Sequence, residues 1–190
     1  MNLMRNPRIL AFAGSTRKES FNRKLLAVAV ELAEQADLEV RHIELADYPL
    51  PLMDEDLEAE HGQPENATAL RRMMLEADGL LLACPEYNSS ITPLMKNVID
   101  WVSRKESGGG DLTPYNDKKA LLLGASPGKL GGKRSVETVR SILGNIGVEV
   151  FDKEFTLPGA GDAFDHLGQL RDVELIDALK AIVKTFSESM

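Results

Sequence analysis

A parallel five-stranded sheet with helices on both faces is the architecture this sequence predicts, and three observations predict it. Three runs are apolar without alternation, Ile9-Leu10-Ala11-Phe12-Ala13, Leu80-Leu81-Leu82-Ala83-Cys84 and Ala120-Leu121-Leu122-Leu123. Strands buried on both faces of a sheet read this way. A stretch with apolar residues at helical spacing follows each run, and strands alternating with helices at such intervals build βαβ units. The remaining two strand candidates are more polar, which bears on the strand order.

In chain order, residues 8–13 form the first strand. Residues 22–36 form a helix with its stripe at Leu25, Val28, Ala29, Leu32 and Ala36. Residues 39–45 read as a strand carrying Arg41, His42 and Glu44, and a long acidic, proline-containing loop runs on to Gly62. A helix over 65–77 (Leu70, Met73, Met74, Ala77) leads to the strand at 79–84, which stops at Pro85. Thr92-Pro93 is a cap followed by proline at the first helical position. It opens a helix with Leu94, Met95, Val98, Ile99 and Val102. The tract Ser107-Gly108-Gly109-Gly110 is expected to be flexible. The strand at 119–124 is followed by a helix over 132–146 closed by Gly147, a polar strand at 148–151 with a short extension at 154–157, and a last helix over 172–186.

The polarity of the strands selects their order. In the order 2-1-3-4-5 the apolar first, third and fourth strands are central and the polar second and fifth are edges. In the order 3-2-1-4-5, Arg41, His42 and Glu44 would lie between neighbouring strands. The expected fold is therefore a flavodoxin-like three-layer α/β sandwich, formed as one domain over residues 1–190. In such a sheet ligands bind beyond the carboxyl ends of the strands at the switch point, here between strands one and three. The loops 14–22 and 85–90 lie there, with 126–132 beside them.

Composition bounds the partners. The 190 residues are 43% hydrophobic and carry a net charge of -8, which speaks against nucleic acid and anionic membrane as partners, since both call for a basic footprint. Residues 1–7 are too short and polar for a signal peptide, and no apolar run reaches the roughly 18 residues of a membrane helix. A single cysteine, Cys84, precludes an internal disulfide and fits a cytoplasmic location.

The first loop, Gly14-Ser15-Thr16-Arg17-Lys18-Glu19-Ser20-Phe21-Asn22, joins a buried strand to a helix. Unpaired N–H groups at the helix start attract an anion. Ser15, Thr16, Ser20 and Asn22 add polar donors, and Arg17 can grip a phosphate with two of its N–H groups. GxxxxGK(S/T) and GxGxxG are both absent from this loop, which argues against a triphosphate and a pyrophosphate. A monophosphate at this switch point indicates FMN. In the second loop, Pro85-Glu86-Tyr87-Asn88-Ser89-Ser90, backbone groups suit the polar edge of an isoalloxazine and Tyr87 offers a flat apolar side. The glycines of Gly124-Ala125-Ser126-Pro127-Gly128-Lys129-Leu130-Gly131-Gly132 would let backbone approach a planar ligand.

These motifs, together with Lys96-Asn97-x-x-Asp100-Trp101 and Phe164-Asp165-x-x-Gly168-x-Leu170-x-Asp172, resemble the NADPH-dependent FMN reductase family, which includes azo, quinone and chromate reductases. The resemblance implies noncovalent FMN, with its phosphate held by Ser15, Arg17, Ser20 and Asn22 and its ring lined by Pro85, Glu86, Tyr87 and Asn88, with Ser126 and Gly128 nearby. It implies NADPH or NADH as co-substrate, electrons passing through flavin N5 to a small-molecule acceptor such as free flavin, a quinone, an azo compound or chromate, and no catalytic acid–base pair. It also implies a homodimer or homotetramer with the helix at 94–102 at the interface, giving Leu94, Met95, Val98 and Trp101 a role beyond core packing.

Other residues read more simply. Lys129 and Arg134 are solvated cations, with pyridine-nucleotide phosphates as the alternative. Cys84 is a buried small hydrophobe, and His42, His61 and His166 lack metal-ligand spacing. No GxSxG elbow is present, and the acidic run at 54–60 is a solvated loop. The rival reading is a flavodoxin-type electron carrier that does not oxidise NAD(P)H, against which Arg17 counts. A flavin-sensing protein is a further rival without an appended domain to support it.

Overall fold

A computed structural model of the protein describes residues 5–190. Met1–Met4, within the stretch read above as too polar for a signal peptide, lie outside the described residues. The chain runs β1 (Arg8–Ala13), α1 (Phe21–Gln35), β2 (Glu39–His42), α2 (Glu55–His61), α3 (Glu65–Glu76), β3 (Gly79–Ala83), β4 (Glu86–Tyr87), β5 (Ser90–Ile91) and α4 (Pro93–Val102). It continues with β6 (Lys119–Ala125), α5 (Lys133–Asn145), β7 (Glu149–Leu157), α6 (Ala160–Ala163) and α7 (Val173–Glu188). Five strands form one parallel sheet in the order β2-β1-β3-β6-β7, and β4 and β5 form a separate antiparallel pair. Among the five sheet strands the order is thus 2-1-3-4-5, as the polarity argument requires. Every residue of β3 is buried, whereas β2 on the edge has none that is.

Alternate residues of each central strand feed two cores. Ile9, Ala11, Leu81, Leu121 and Leu123 face α1 and α7, and Leu10, Phe12, Leu80, Leu82 and Leu122 face α3, α4 and α5. Truncating such a leucine to alanine costs about 2–5 kcal/mol through lost burial and the cavity left behind.

Four expectations need correction. The acidic tract contains a helix, α2, whose N-cap Asp54 accepts from the amides of Asp56 and Leu57. Its acidic first turn complements the helix dipole, and Glu58 is buried against Arg104, whose Nε lies 3.0 Å from each carboxylate oxygen. The segment before α2 is also anchored, because Asn97 and Trp101 both donate to the Pro51 carbonyl at 2.8 Å. The glycine tract is a tight turn closed by the Arg104–Gly110 bridge and the Lys105–Gly109 hydrogen bond. The polar strand and its extension are one strand, β7. A register shift opposite Ala120–Leu122 absorbs the extra residues, and Arg140 donates to the Phe151 carbonyl there at 2.8 Å. Finally, Met95, Val98 and Trp101 are at most 1% exposed within the chain, so these three side chains face its own core and not a partner.

Candidate functional site

Beyond Ala13, the chain leaves β1 at Gly14. A Cβ there would lie 3.0 Å from Met95 Cε and 3.2 Å from Pro85 Cδ, so the position tolerates no side chain without displacement. The loop then rises to the surface. Thr16, Arg17, Lys18 and Glu19 are exposed, and it dips again at Ser20, the N-cap of α1. A serine at this position ordinarily caps the first helical turn with its side chain. Here Ser20 makes no such hydrogen bond, which leaves both the hydroxyl and the first-turn amides of α1 unengaged. The Ser15 Oγ accepts from the Arg17 amide at 3.3 Å, and the Arg17 carbonyl accepts from Arg23 Nη1 at 3.0 Å. The Arg17 backbone is therefore held while its exposed guanidinium has no partner among the described residues.

Asn22 departs from the expectation of a ligand donor. It is 4% exposed, its Nδ2 donates to the Ala125 carbonyl at 2.8 Å, and its Oδ1 accepts from the Ala125 amide at 3.0 Å. The carboxamide mimics a strand partner for the last residue of β6, and it ties the first loop to the third loop.

The 85–90 loop is a hairpin rather than an open loop. Glu86 pairs with Ile91 and Tyr87 with Ser90, and Asn88 and Ser89 take φ of 50° and 67°. Two positive φ values at the centre of a two-residue hairpin define a type I′ turn, a conformation that Asn adopts readily and Ser does not. Arg134 of α5 steadies it, with Nη1 3.2 Å from Ser89 Oγ and 3.4 Å from Glu86 Oε1. Arg134 is thus a support for the hairpin and not the free cation expected from the sequence. Pro85 is buried, Tyr87 is half exposed, and the Glu86 Oε2 atom is buried without a partner.

In the third loop the glycines serve the chain's own packing. A Cβ on Gly124 would meet the Gly131 carbonyl at 2.8 Å, and one on Gly131, where φ is +60°, would meet Leu157 and Pro158 backbone at 2.7 Å. Only Gly128 opens outward, with nothing nearer than Ser126 Oγ at 3.6 Å. The loop is bonded to the end of β7 through Ser126 N to the Leu157 carbonyl (3.1 Å) and Gly159 N to the Gly128 carbonyl (3.3 Å).

Ser15, Arg17, Ser20, Pro85, Glu86, Tyr87, Asn88, Ser126 and Gly128 therefore all stand on loops at the carboxyl ends of β1, β3 and β6, with Asn22 beneath them. Thr92 and Ser135, which hold these loops, had little or no signal in the sequence as site residues. Thr92 was visible as a cap, and Ser135 lies in an unremarkable helical stretch. Cys84 is fully buried, and burial pushes its thiol far above the ordinary value, so it offers no thiolate. A cavity of about 390 Å³ flanks the first loop, lined in part by Lys18, Arg23, Lys24, His42 and His166. A larger one, about 650 Å³, lies at the opposite end of the sheet beside Leu32 and Ser187, remote from the loops.

A doubly wound sheet with unpaired donors at its switch point has the arrangement that suits a phosphorylated ligand. Comparison with known proteins narrows the class. Residues 7–162 match the NADPH-dependent FMN reductase family, and the chain belongs to that family. It is accordingly a flavin-dependent NAD(P)H oxidoreductase. It is 35% identical over 181 residues to an NADPH:quinone oxidoreductase of Arabidopsis thaliana, covering 93% of this chain and 88% of that one. It is 36% identical over 167 residues to an NAD(P)H-dependent FMN reductase of Pseudomonas aeruginosa, covering 87% and 85%. Among solved structures, FerB, a flavoenzyme NAD(P)H:(acceptor) oxidoreductase from Paracoccus denitrificans, superposes with a TM-score of 0.81 at 27% identity over 96% of both chains.

Proposed function

We propose that FMN lies across the three loops, its phosphate on Ser15, Arg17, Ser20 and the first-turn amides of α1, its ring between Pro85–Asn88 and Ser126–Gly128. The observation that carries this is the unengaged cap hydroxyl of Ser20 beside an unpartnered Arg17. Together with the open amides they form a donor set that suits a dianionic monophosphate. When bound, FMN supplies the redox chemistry that links NAD(P)H to an acceptor. The chain's own residues bind and orient. Arg17 and Ser20 fix the phosphate end, the strained hairpin sets Tyr87 and Asn88 against the ring, and Gly128 leaves the opposite side open. No side chain here is required to move a proton.

The acceptor class we propose is the quinone, on the names of the relatives above, with free flavin, azo compounds and chromate as further acceptors. A homodimer or homotetramer in the cytoplasm completes the reading, the location supported by the lone, buried Cys84. Any interface must use surface other than Met95, Val98 and Trp101.

The purified protein is expected to be yellow, or to become so with added FMN, and to consume NADPH or NADH in air; with oxygen excluded, the pyridine nucleotide should bleach the flavin band. A protein that stays colourless with FMN overturns the site. A yellow protein that leaves both pyridine nucleotides untouched would leave the electron carrier or the flavin sensor.

A further inference from the structure

Each of the three site loops begins at a backbone carbonyl where regular sheet bonding gives way to loop, and each of these carbonyls is gripped by a buried side chain from a different βαβ unit. Thr92 Oγ1, at the start of the helix that leaves the hairpin, donates to the Gly14 carbonyl of the phosphate loop at 2.8 Å. Ser135 Oγ, in the first turn of the helix that leaves the third loop, donates to the Pro85 carbonyl of the hairpin at 2.8 Å. Asn22 Nδ2, in the first turn of the helix that leaves the phosphate loop, donates to the Ala125 carbonyl at the root of the third loop at 2.8 Å. Every loop therefore holds one of the other two and is held by the remaining one. The three side chains are 3%, 0% and 4% exposed, and each spends its donor on a backbone carbonyl of another loop.

We infer that Asn22, Thr92 and Ser135 are positioning residues that form a closed ring of braces, so that the phosphate loop, the hairpin and the third loop act as one unit. The physical reason is that a buried carbonyl demands a donor. Satisfying it from a neighbouring unit means that no loop can shift without breaking two of the three braces. A cradle held in this way meets FMN already formed, and the ordering cost of binding is small. The inference rests on the proposed split of FMN between a phosphate loop and ring loops.

The test measures dissociation constants for FMN and riboflavin, whose ratio reports the phosphate's own contribution. Ser135→Ala removes one oxygen next to the hairpin, far along the chain from Arg17. It is expected to weaken both flavins about fivefold or more, and also to lower the FMN-to-riboflavin preference, because the phosphate loop loosens with the rest. Thr92→Val is expected to do the same, Thr92→Ser to stay at the wild-type values, and the Thr92→Val/Ser135→Ala double variant to be less than additive, since a ring already opened loses little at a second cut. Additive effects with an unchanged preference would mean that each brace serves its own loop, and would overturn the ring. A fall in Tm with flavin affinities unchanged would reduce the three residues to core packing. A wild-type protein that binds FMN no better than riboflavin would instead overturn the phosphate-loop reading, and that result is visible before any brace is cut.

Discussion

The two ends of the sheet handle the same problem, strand ends that leave the ladder, with different chemistry. At the amino end the answer is charge. Arg5 pairs with Asp78, Asp78 accepts from the Arg8 amide at 2.8 Å, and Lys118 Nζ, in a residue only 7% exposed, donates to the Ala77 carbonyl at 2.6 Å. Lys119 reaches both the Ser189 carbonyl and Glu149. Cations and carboxylates meet one another there. At the carboxyl end the braces are neutral, Asn22, Thr92 and Ser135, and they satisfy the backbone from inside. The outward groups of Arg17, Ser20 and the α1 amides remain unpaired. The difference supports the ligand position proposed above: one end pairs much of its charge with itself, and the other keeps Arg17 facing solvent.

The strongest way to break this contrast is to disturb the third loop's packing. Gly131 combines a φ of +60° with a Cβ position 2.7 Å from Leu157 and Pro158 backbone. Gly131→Ala is expected to destabilise the fold by about 3 kcal/mol or more, beyond the roughly 1–3 kcal/mol of an unfavourable φ alone. Gly128→Ala, in open space, should stay within about 0.5 kcal/mol in denaturant unfolding. Equal losses at the two positions would show that the loop is not wedged against β7.

A smaller effect, on binding alone, separates the carboxyl end from the amino end. Arg17→Ala should weaken FMN by about 1.5–3 kcal/mol, the range of a hydrogen bond to a charged group, and leave riboflavin and Tm unchanged. Calorimetric titration of the two flavins checks it. An unchanged FMN dissociation constant would mean that the phosphate lies elsewhere.

Much of this was legible in the sequence. Unbroken apolar runs marked the central strands, Arg41 and Glu44 marked an edge, and Gly, Pro, Ser and Asn marked the loops that converge. What failed did so for tertiary reasons. Asn22 carries the right chemistry for a phosphate donor, but only the approach of β6 shows that Ala125 takes both ends of its amide. The glycines at 124 and 131 looked like openings for a ligand, yet they admit neighbouring backbone. The acidic run at 54–60 suggested a solvated loop, because the buried partner of Glu58 is 46 residues away at Arg104. Ser135 left no signal, since one serine in an amphipathic helix is common and its carbonyl partner is 50 residues back.

The smallest effect concerns what happens to the two kinds of brace in acid. The Arg104 guanidinium, bonded to both oxygens of Glu58, holds that carboxyl below its usual range. A carboxylate whose folded value is depressed binds protons less readily than in the unfolded chain, so its stabilisation is complete above the unfolded value of about 4.3. It is then lost as the pH falls through the lower, folded value. Glu58→Gln should therefore lower stability near pH 7 by about 1 kcal/mol, a modest figure because Arg104 keeps one side toward solvent. It should also flatten the decline in Tm below about pH 4.3. A decline as steep as wild type would assign the acid sensitivity to other carboxylates. The tie between α2 and Arg104 thus depends on a charge that acid removes, whereas Asn22, Thr92 and Ser135 hold the loops with groups that do not titrate. Flavin affinity in Glu58→Gln should consequently match wild type at neutral pH, because the carboxyl end of the sheet is braced without help from that pair.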